Sequence, residues 1–460
     1  MRLLQRLHLL LFLVVIMAAS CKSHQQKTTD TLTEDTATIN GHPAWIMQGN
    51  IYEVNVRQYT PEGTFKAFEK HLDRLKEMGV QTLWFMPVNP ISKTDRKGVL
   101  GSYYAVANYT AINPEFGNMD DFVQMVKNCH DKGFKVIIDW VPNHSGGDNY
   151  WLEKHPDFYV KDSTGKAVSP YDWSDTRKLN YDSPALQDTM INCMLFWIKQ
   201  ADIDGFRCDV AGDVPDTFWK KCIPLLKKQK NIFMLAEGNK ASLQQDGFDA
   251  TYPWNEFNAM KKIAKGESPA TLLDTVIHQV DSTFPKNALL LYFTSNHDEN
   301  SWNKADYGTM PGVIHAPFAV LTQTIGRSVP LIYSGQEEPF LDSISFFYKD
   351  TITFQKFERA PFYKTLLQHR KTNSAFAADA AFTRLASSND KAIYAYTREK
   401  NGKSLLVLLN FSNAPQKFTL QNGLDVKTEN LFTGQAESIA KGKEFNLPAW
   451  GYSVYLYDTP

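Results

Sequence analysis

The sequence predicts an α/β protein: a (β/α)8 TIM barrel with a short loop excursion after its third strand, followed by a C-terminal all-β sandwich domain. From Ile51 onward, short apolar strand-like runs alternate with amphipathic helical stretches, which is typical of parallel βαβ units. Residues 142–183 interrupt this alternation of strands and helices, because their polar and aromatic residues show neither helical nor strand periodicity. From about Ala381, short alternating runs separated by turn residues replace the helical pattern and predict antiparallel strands.

The barrel prediction rests on eight strand candidates. In the first candidate, residue character alternates with the period of two that is typical of a strand. After it, Phe65, Phe68, Leu72 and Leu75 follow at helical spacing. Eight such units close into a barrel whose active site lies at the C-terminal ends of its strands. The candidates are Ile51–Val56, Thr82–Pro87, Lys135–Trp140, Gly205–Asp209, Ile232–Ala236, Phe248–Tyr252, Leu289–Ser295 and Pro330–Ser334.

The N-terminus has the pattern of an export signal. Arg2 and Arg6 precede an apolar run and small residues that end at Cys21. Residues 17–21 resemble the lipobox of bacterial lipoproteins, in which the cysteine is lipidated. We therefore expect an exported protein, lipid-anchored through Cys21 to a bacterial membrane at its periplasmic face or at the cell surface. The predicted division is a signal peptide at 1–21, a flexible tether at 22–42, the barrel at 43–378 with the excursion at about 142–183, and the β-sandwich at 379–460.

Composition excludes several classes of protein. Hydrophobic residues make up 43% and charged residues 22%, which argues against a disordered or a multi-span membrane protein. Lys and Arg total 49 against 50 Asp and Glu, so no net positive field favours nucleic acid as a partner. The cysteines other than Cys21 are scattered without a CxxC pair, which predicts no thiolate metal site. An exported protein could pair them as disulfides, but their positions on apparently buried helices and strands favour free thiols.

Polar residues cluster where four of the predicted strands end. Taken singly, an Asp at such a position is often a helix N-cap, and a neighbouring His is often a hydrogen-bonded core residue. Four such segments at successive strand ends of one barrel instead predict a catalytic site. They are Asp139–His144, Gly205–Asp209, Leu235–Gly238 and Asn296–Glu299.

Together these segments resemble the conserved regions of the α-amylase family, glycoside hydrolase family 13. The resemblance covers roughly Pro43 to Pro460 and includes Gly79–Pro87, Gly101–Tyr104 and Ile332–Glu337. It implies a glycosidase that cleaves α-glucosidic bonds, mainly α-1,4, of malto-oligosaccharides or starch-like glucans. The implied reaction retains the anomeric configuration and passes through a covalent glycosyl-enzyme intermediate.

The resemblance assigns three catalytic carboxylates: Asp209 as the nucleophile, Glu237 as the acid/base, and Asp298 as the group that stabilises the transition state. Retention requires the first two to lie about 5–5.5 Å apart. Arg207 is expected to keep Asp209 ionised, whereas Glu237 has to carry a proton before the reaction. Asp139 is expected to brace its loop.

The resemblance also implies four substrate-binding residues: Tyr104, His144, Arg207 and His297. Tyr103 stays open as the alternative to Tyr104, because Asn108 departs from the aspartate that the family has at that position. Aromatic residues of the excursion could form sugar platforms or pack the loop. They are Trp151, Tyr159, Tyr171 and Trp173.

We expect no required cofactor or metal. Asn143 matches a calcium ligand of the family, but Asp213 stands where calcium-binding members have a histidine, so calcium is only an alternative. A transglycosylase with the same site and a non-catalytic carbohydrate-binding relative are the other functional classes. The sequence does not separate endo from exo action, nor α-1,4 from α-1,6 or trehalose specificity.

Overall fold

The computed structural model describes residues 36–303, 310–340 and 342–459. The predicted signal peptide, Cys21 and most of the tether lie outside these residues. None of the helices in the described ranges combines the length and apolar character needed to cross a bilayer. Cys129, Cys193, Cys208 and Cys222 are buried free thiols.

The last part of the predicted tether is ordered. Thr38–Ile39 and His42–Pro43 form an antiparallel hairpin whose two-residue turn, Asn40–Gly41, has positive φ angles of 55° and 90°, as a type I′ turn requires. The hairpin lies at the N-terminal ends of the barrel strands, because His42 bonds Asp249 and the amide of Asn287 donates to Asn40. The expectation of a flexible tether is therefore wrong for this segment.

All eight predicted barrel strands are present and parallel, and the closed order runs from β1 to β8 with β8 beside β1. Gly205, the first residue of β4, has no room for a side chain, because a Cβ atom there would overlap the backbone oxygen of Phe233. The strands are β1 (Ile51–Val54), β2 (Thr82–Phe85), β3 (Lys135–Trp140), β4 (Gly205–Cys208), β5 (Phe233–Ala236), β6 (Ala250–Thr251), β7 (Leu289–Tyr292) and β8 (Ser328–Tyr333).

Amphipathic helices surround the barrel. The longer ones bury apolar residues at helical spacing, as Phe122, Met125, Val126 and Cys129 show, and the helix that carries them begins with a capping box at Asn118. The residues at helical spacing from Phe65 to Leu75 belong to two short helices, Phe65–Glu69 and Leu72–Met78. The helices are Val56–Tyr59, Phe65–Glu69, Leu72–Met78, Met119–Asp131, Trp151–Lys154, Pro184–Ala201, Asp216–Lys227, Ala241–Gln245, Trp254–Ala264, Leu272–Thr283, His297–Asn303, His315–Thr324 and Ala360–Thr372.

The excursion after β3 is held over the C-terminal end of the barrel. Its strands His144–Gly146 and Thr176–Lys178 pair antiparallel. Trp151 is buried and stacks on Tyr109 with ring centroids 4.8 Å apart, and Tyr109 in turn donates to the backbone oxygen of Val141 at the end of β3. Trp151 and the buried Tyr159 therefore pack the loop, which leaves Tyr171 and Trp173 as candidate sugar platforms.

The C-terminal domain is an antiparallel sandwich, as predicted. A six-stranded sheet in the order β9-β10-β11-β16-β13-β14 faces the two-stranded sheet β12-β15. Residues of β10 alternate between the two sides: Ile393 and Ala395 pack within the sandwich, and Tyr394 and Tyr396 pack in the core shared with the barrel. The strands are β9 (Ala381–Leu385), β10 (Ile393–Lys400), β11 (Lys403–Asn410), β12 (Gln416–Thr419), β13 (Val426–Asn430), β14 (Ala436–Ile439), β15 (Glu444–Leu447) and β16 (Tyr452–Asp458).

Candidate active site

The register of β4 and β5 brings two carboxylates side by side. Cys208 and Ala236 are paired neighbours at the ends of these strands, and Asp209 and Glu237 are the next residues along each strand. The backbone continues the barrel pattern here, since the amide of Glu237 donates to the oxygen of Cys208 at 3.0 Å. Neighbouring strands lie about 4.8 Å apart, so the two side chains rise from adjacent positions.

Arg207 lies beneath both carboxylates. Its Nη1 is 2.9 Å from Oδ1 of Asp209, and its Nη2 is 3.1 Å from Oε2 of Glu237. The guanidinium is fully buried, and its Nε donates to the hydroxyl of Tyr252 at 3.2 Å. One rigid cationic group thus fixes the relative position of the two carboxylates.

The surroundings of Asp209 oppose its negative charge. Burial and the negative charge of Glu237 raise the pKa of Asp209 well above its usual value, and Arg207 acts in the opposite direction. A second carboxylate this close is the arrangement required by a site that uses one carboxyl group as nucleophile and the other as acid.

The residue after Asp209 has a strained backbone. Val210 adopts φ 44° and ψ 39°, the left-handed region that β-branched residues rarely enter. In this conformation its amide donates to Oε2 of Glu237 at 2.8 Å. Strain of this kind costs roughly 1–3 kcal/mol, and here it accompanies a hydrogen bond that orients the carboxylate.

Asp139 at β3 anchors the groups around Arg207. Its Oδ1 accepts from Arg207 at 2.9 Å, and its Oδ2 accepts from the indole of Trp84 and the hydroxyl of Tyr104 at 3.2 and 3.0 Å. Burial raises its pKa to about 6, against the opposing effect of Arg207. Asp139 therefore braces the arginine and the tyrosine, whereas the sequence predicted that it would brace its own loop.

The surroundings of the two predicted histidines shift their pKa values in opposite directions. Burial lowers the pKa of His144 to about 3, so its ring is neutral. Asp298 and Glu53 raise the pKa of His297 to about 9 despite its burial. Nδ1 of His297 is 2.5 Å from Oε1 of Glu53, and its Nε2 is 2.7 Å from the hydroxyl of Tyr104.

A cavity of about 410 Å³ opens above these groups. Asp209, Glu237 and Asp298 reach it together with Tyr104 and His144. Aromatic side chains supply flat apolar faces beside the carboxylates, an arrangement suited to sugar rings. These aromatic residues are Tyr104, Trp173, Trp302, Phe346 and Phe347.

The structure thus brings the seven predicted site residues into one network, but not all of them reach the cavity. Arg207 and His297 are buried directly behind its wall. Tyr104 lines the cavity, whereas the hydroxyl of Tyr103 points elsewhere and donates to Asn55 at 2.9 Å. The sequence reasoning missed Glu53, Trp302 and Phe346, because these residues belong to none of the motifs at the strand ends.

Asn143 and Asp213, the positions compared with calcium ligands of the family, both contact protein partners. Asp213, which stands in the position of a family ligand, accepts a hydrogen bond from the hydroxyl of Tyr171, and the side chain of Asn143 contacts His144. Within residues 36–303, 310–340 and 342–459, no group of three or more His, Cys, Asp or Glu side chains is arranged to hold a metal ion. We assign no step of the chemistry to calcium.

Comparison with known proteins gives the same assignment as the fold and the site. A family model described as "Alpha amylase, catalytic domain" matches residues 22–178 and 170–411, and one described as "Alpha-amylase SusG C-terminal domain" matches residues 393–454. The α-amylase MalA of Haloarcula japonica is 26% identical over 438 residues. That match covers 90% of this chain, and the chain spans 63% of the length of MalA.

Two solved structures are similar over most of the chain. The maltogenic α-amylase AmyB of Thermotoga neapolitana superposes with a TM-score of 0.83 at 25% identity, covering 90% of this chain and 99% of that one. An α-amylase of Lactobacillus plantarum gives 0.79 at 27% identity, with the same coverage. Since the catalytic-domain model matches well over half of the sequence, the chain belongs to the α-amylase family of glycoside hydrolases.

Proposed function

We propose that this protein is a retaining glycoside hydrolase that cleaves α-1,4-glucosidic bonds of malto-oligosaccharides or starch-like glucans. The observation that carries the proposal is the pair Asp209 and Glu237, which stand on adjacent strand ends and are held by the two terminal nitrogens of Arg207. Retaining enzymes need about 5–5.5 Å between the carboxyl groups, and inverting enzymes about 6.5–9.5 Å. Adjacent strands about 4.8 Å apart favour the shorter separation.

In the first half of the reaction, the carboxylate of Asp209 attacks the anomeric carbon and the bond to the glycosidic oxygen breaks. Glu237, acting as the acid, donates a proton to that oxygen, and the leaving sugar departs as an alcohol. In the second half, Glu237 takes a proton from water as the water attacks the same carbon, and the ester to Asp209 is released. Asp298 faces the same cavity and balances the positive charge that develops on the sugar ring.

The walls of the cavity support a glucan as the substrate. Trp302 lies four residues after Asp298, one turn along the same helix, and its ring packs against Phe346 with centroids 5.3 Å apart. Trp173 stands at the cavity beside His144, with ring centroids 5.2 Å apart. Aromatic faces on two different segments of the chain could hold sugar units next to the carboxylates. Relatives named as α-amylases support the same substrate class.

Product analysis tests this proposal. Maltoheptaose is incubated with the enzyme, and the anomeric protons of the new reducing ends are followed by NMR before mutarotation. We expect the α-anomer to appear first. Initial formation of the β-anomer would contradict the double displacement. Trehalose and isomaltose are tested in parallel, and an enzyme that hydrolyses one of these but not maltoheptaose would contradict the α-1,4 assignment.

The same experiment addresses the alternatives that the sequence left open. A transglycosylase would form oligosaccharides longer than maltoheptaose, because a second sugar replaces water in the second half of the reaction. A non-catalytic relative would bind maltoheptaose without changing it. The presence of Asp209, Glu237 and Asp298 in one cavity favours catalysis over binding alone.

We also propose that the protein is exported and anchored to a bacterial membrane through lipid on Cys21. The support is the signal-like sequence before Cys21, which lies outside the described residues. Cys21→Ser is expected to move the protein from the membrane fraction to the soluble fraction in its native host, because it removes the acyl chains. Immunoblots of the two fractions measure this change, with Cys193→Ser as the control, and an unchanged distribution would contradict the anchor.

A further inference from the structure

One buried carboxylate next to the site has no part in the reaction described above. Glu53, in β1, is fully buried, and its Oε1 lies 2.5 Å from Nδ1 of His297. Its Oε2 has no hydrogen-bond partner among the described residues. An unpaired carboxylate oxygen in a protein core is costly, so a role for the charge of Glu53 would account for its retention.

The hydrogen bonds of Tyr104 fix the protonation of His297. A tyrosine hydroxyl has one proton, and Tyr104 donates it to Oδ2 of Asp139 at 3.0 Å. Asp139 also accepts hydrogen bonds from Arg207 and Trp84, and these contacts favour its ionised form. Nε2 of His297, 2.7 Å from the same hydroxyl oxygen, must therefore be the donor of that contact. Burial raises the pKa of Glu53, whereas His297 and Arg207 favour its ionised form. With Nδ1 donating to an ionised Glu53, both ring nitrogens carry protons.

The charges around His297 come from several elements. Glu53 approaches from β1, Asp298 from the helix of His297 itself at 3.4 Å, and Arg207 from β4. Asp139 of β3 acts through Tyr104. The two nearest carboxylates, Asp298 and Glu53, favour the charged form of His297, whereas burial and Arg207 oppose that form. Of the two, only Glu53 is fully shielded from water, since the Asp298 side chain is 38% exposed.

We propose that Glu53 is a positioning residue that holds His297 as an imidazolium, through which Tyr104 and Asp298 are fixed at the cavity wall. The ring then donates from Nδ1 to the carboxylate of Glu53 and from Nε2 toward the Tyr104 hydroxyl and the Asp298 carboxylate. The chain of contacts runs from Glu53 through His297, Tyr104, Asp139 and Arg207 to Asp209. This inference deepens the proposed function and rests on it.

The test replaces the charge and keeps the shape. Glu53→Gln still offers an oxygen to Nδ1 but no negative charge. In ¹⁵N-histidine-labelled protein, the His297 ring nitrogens are followed from pH 5.5 to 10 by NMR, and a His297→Asn sample identifies their signals. We expect a midpoint of about 9 in the wild type and a fall of roughly 1–3 units in Glu53→Gln. An unshifted midpoint would overturn the proposal.

The pH dependence of kcat/KM on maltoheptaose is the second readout. If the pKa of His297 falls to about 7 in Glu53→Gln, only about a tenth of the rings are charged at pH 8. The kcat/KM of this variant should then fall about tenfold between pH 6 and pH 8, whereas that of the wild type should change little. A shifted midpoint with an unchanged pH profile would overturn the link between His297 and the reaction.

Glu337 offers a matched control. It is also fully buried, and it accepts hydrogen bonds from Tyr52 and Arg74 at 2.8 and 2.9 Å, away from His297. Glu337→Gln should lower stability as any loss of a buried ion pair does, and it should leave the His297 midpoint unmoved. An equal shift in both variants would show a general effect of buried charge and would contradict a specific role for Glu53.

Two features keep the outcome decisive. The NMR midpoint does not depend on turnover, so failure of the proposed function would appear as absent hydrolysis with the His297 titration intact. If Glu53→Gln does not fold, the wild-type spectrum still decides. A His297 ring with only one protonated nitrogen at pH 7.5 would overturn the proposal without any variant.

Discussion

Asp209→Asn is expected to lower kcat on maltoheptaose by roughly 10³–10⁶-fold, the range seen when a covalent nucleophile is removed. The amide has almost the same volume as the carboxylate and can still accept the hydrogen bond from Arg207. It has no negative charge with which to attack the anomeric carbon. Binding of maltoheptaose, measured by calorimetry, should therefore change little while turnover is lost.

Asp188→Asn is a suitable control for the Asp209 variant. Asp188 lies on the helix Pro184–Ala201, where its exposed side chain pairs with Lys221 at 2.6 Å. The same chemical change there should leave kcat unaltered, because an exposed ion pair contributes little. Turnover of Asp209→Asn within about tenfold of the wild type would reject Asp209 as the nucleophile.

Glu237→Gln is expected to have the second largest effect, and that effect should depend on the leaving group. Glutamine can accept the hydrogen bond from the amide of Val210, but it cannot donate a proton to the departing oxygen. On maltoheptaose, whose leaving group is a poorly activated sugar alcohol, kcat should fall about 10²–10⁴-fold.

An aryl α-maltoside with a strongly acidic phenol as its leaving group needs no proton transfer, because the phenolate departs unaided. For this substrate, the burst of released phenol that reports the first half of the reaction should be nearly unaffected in Glu237→Gln. Stopped-flow absorbance measures the burst separately from steady-state turnover. Equal losses on both substrates would contradict the role of Glu237 as the acid.

The barrel could be predicted because its signals are local. Each strand is a short apolar run, and the chemistry-bearing residues Asp209, Glu237 and Asp298 follow directly after strands or close to their ends. The rule that barrel active sites lie at these ends then places the residues together without any knowledge of distances. Their side chains do meet at one cavity.

The contacts made by residues inside the strands could not be predicted in the same way. Glu53 is a charged residue in an apolar strand, and nothing in the sequence around it indicates that a histidine some 244 positions later lies beside it. Trp302 and Phe346 also come together, although 44 positions of the chain separate them. Pairings of this kind depend on barrel closure and on loop paths, which local patterns do not encode.

The sequence did contain a signal for the N-terminal hairpin. Asn40–Gly41 is the dipeptide most typical of a two-residue hairpin turn, but the surrounding polar residues led to the prediction of a tether. His42, which bonds Asp249 and the backbone oxygen of Asn287, ties the segment to the barrel through partners far along the chain.

The position of that hairpin separates the start of the described chain from the catalytic site. The chain joins the barrel at its floor, beside the first residues of β6 and β7, and the carboxylates lie at the opposite end, where the strands finish. None of residues 36–43 lines the cavity at the carboxylates. A bulky polymer that approaches the open end of the barrel therefore does not meet this N-terminal segment.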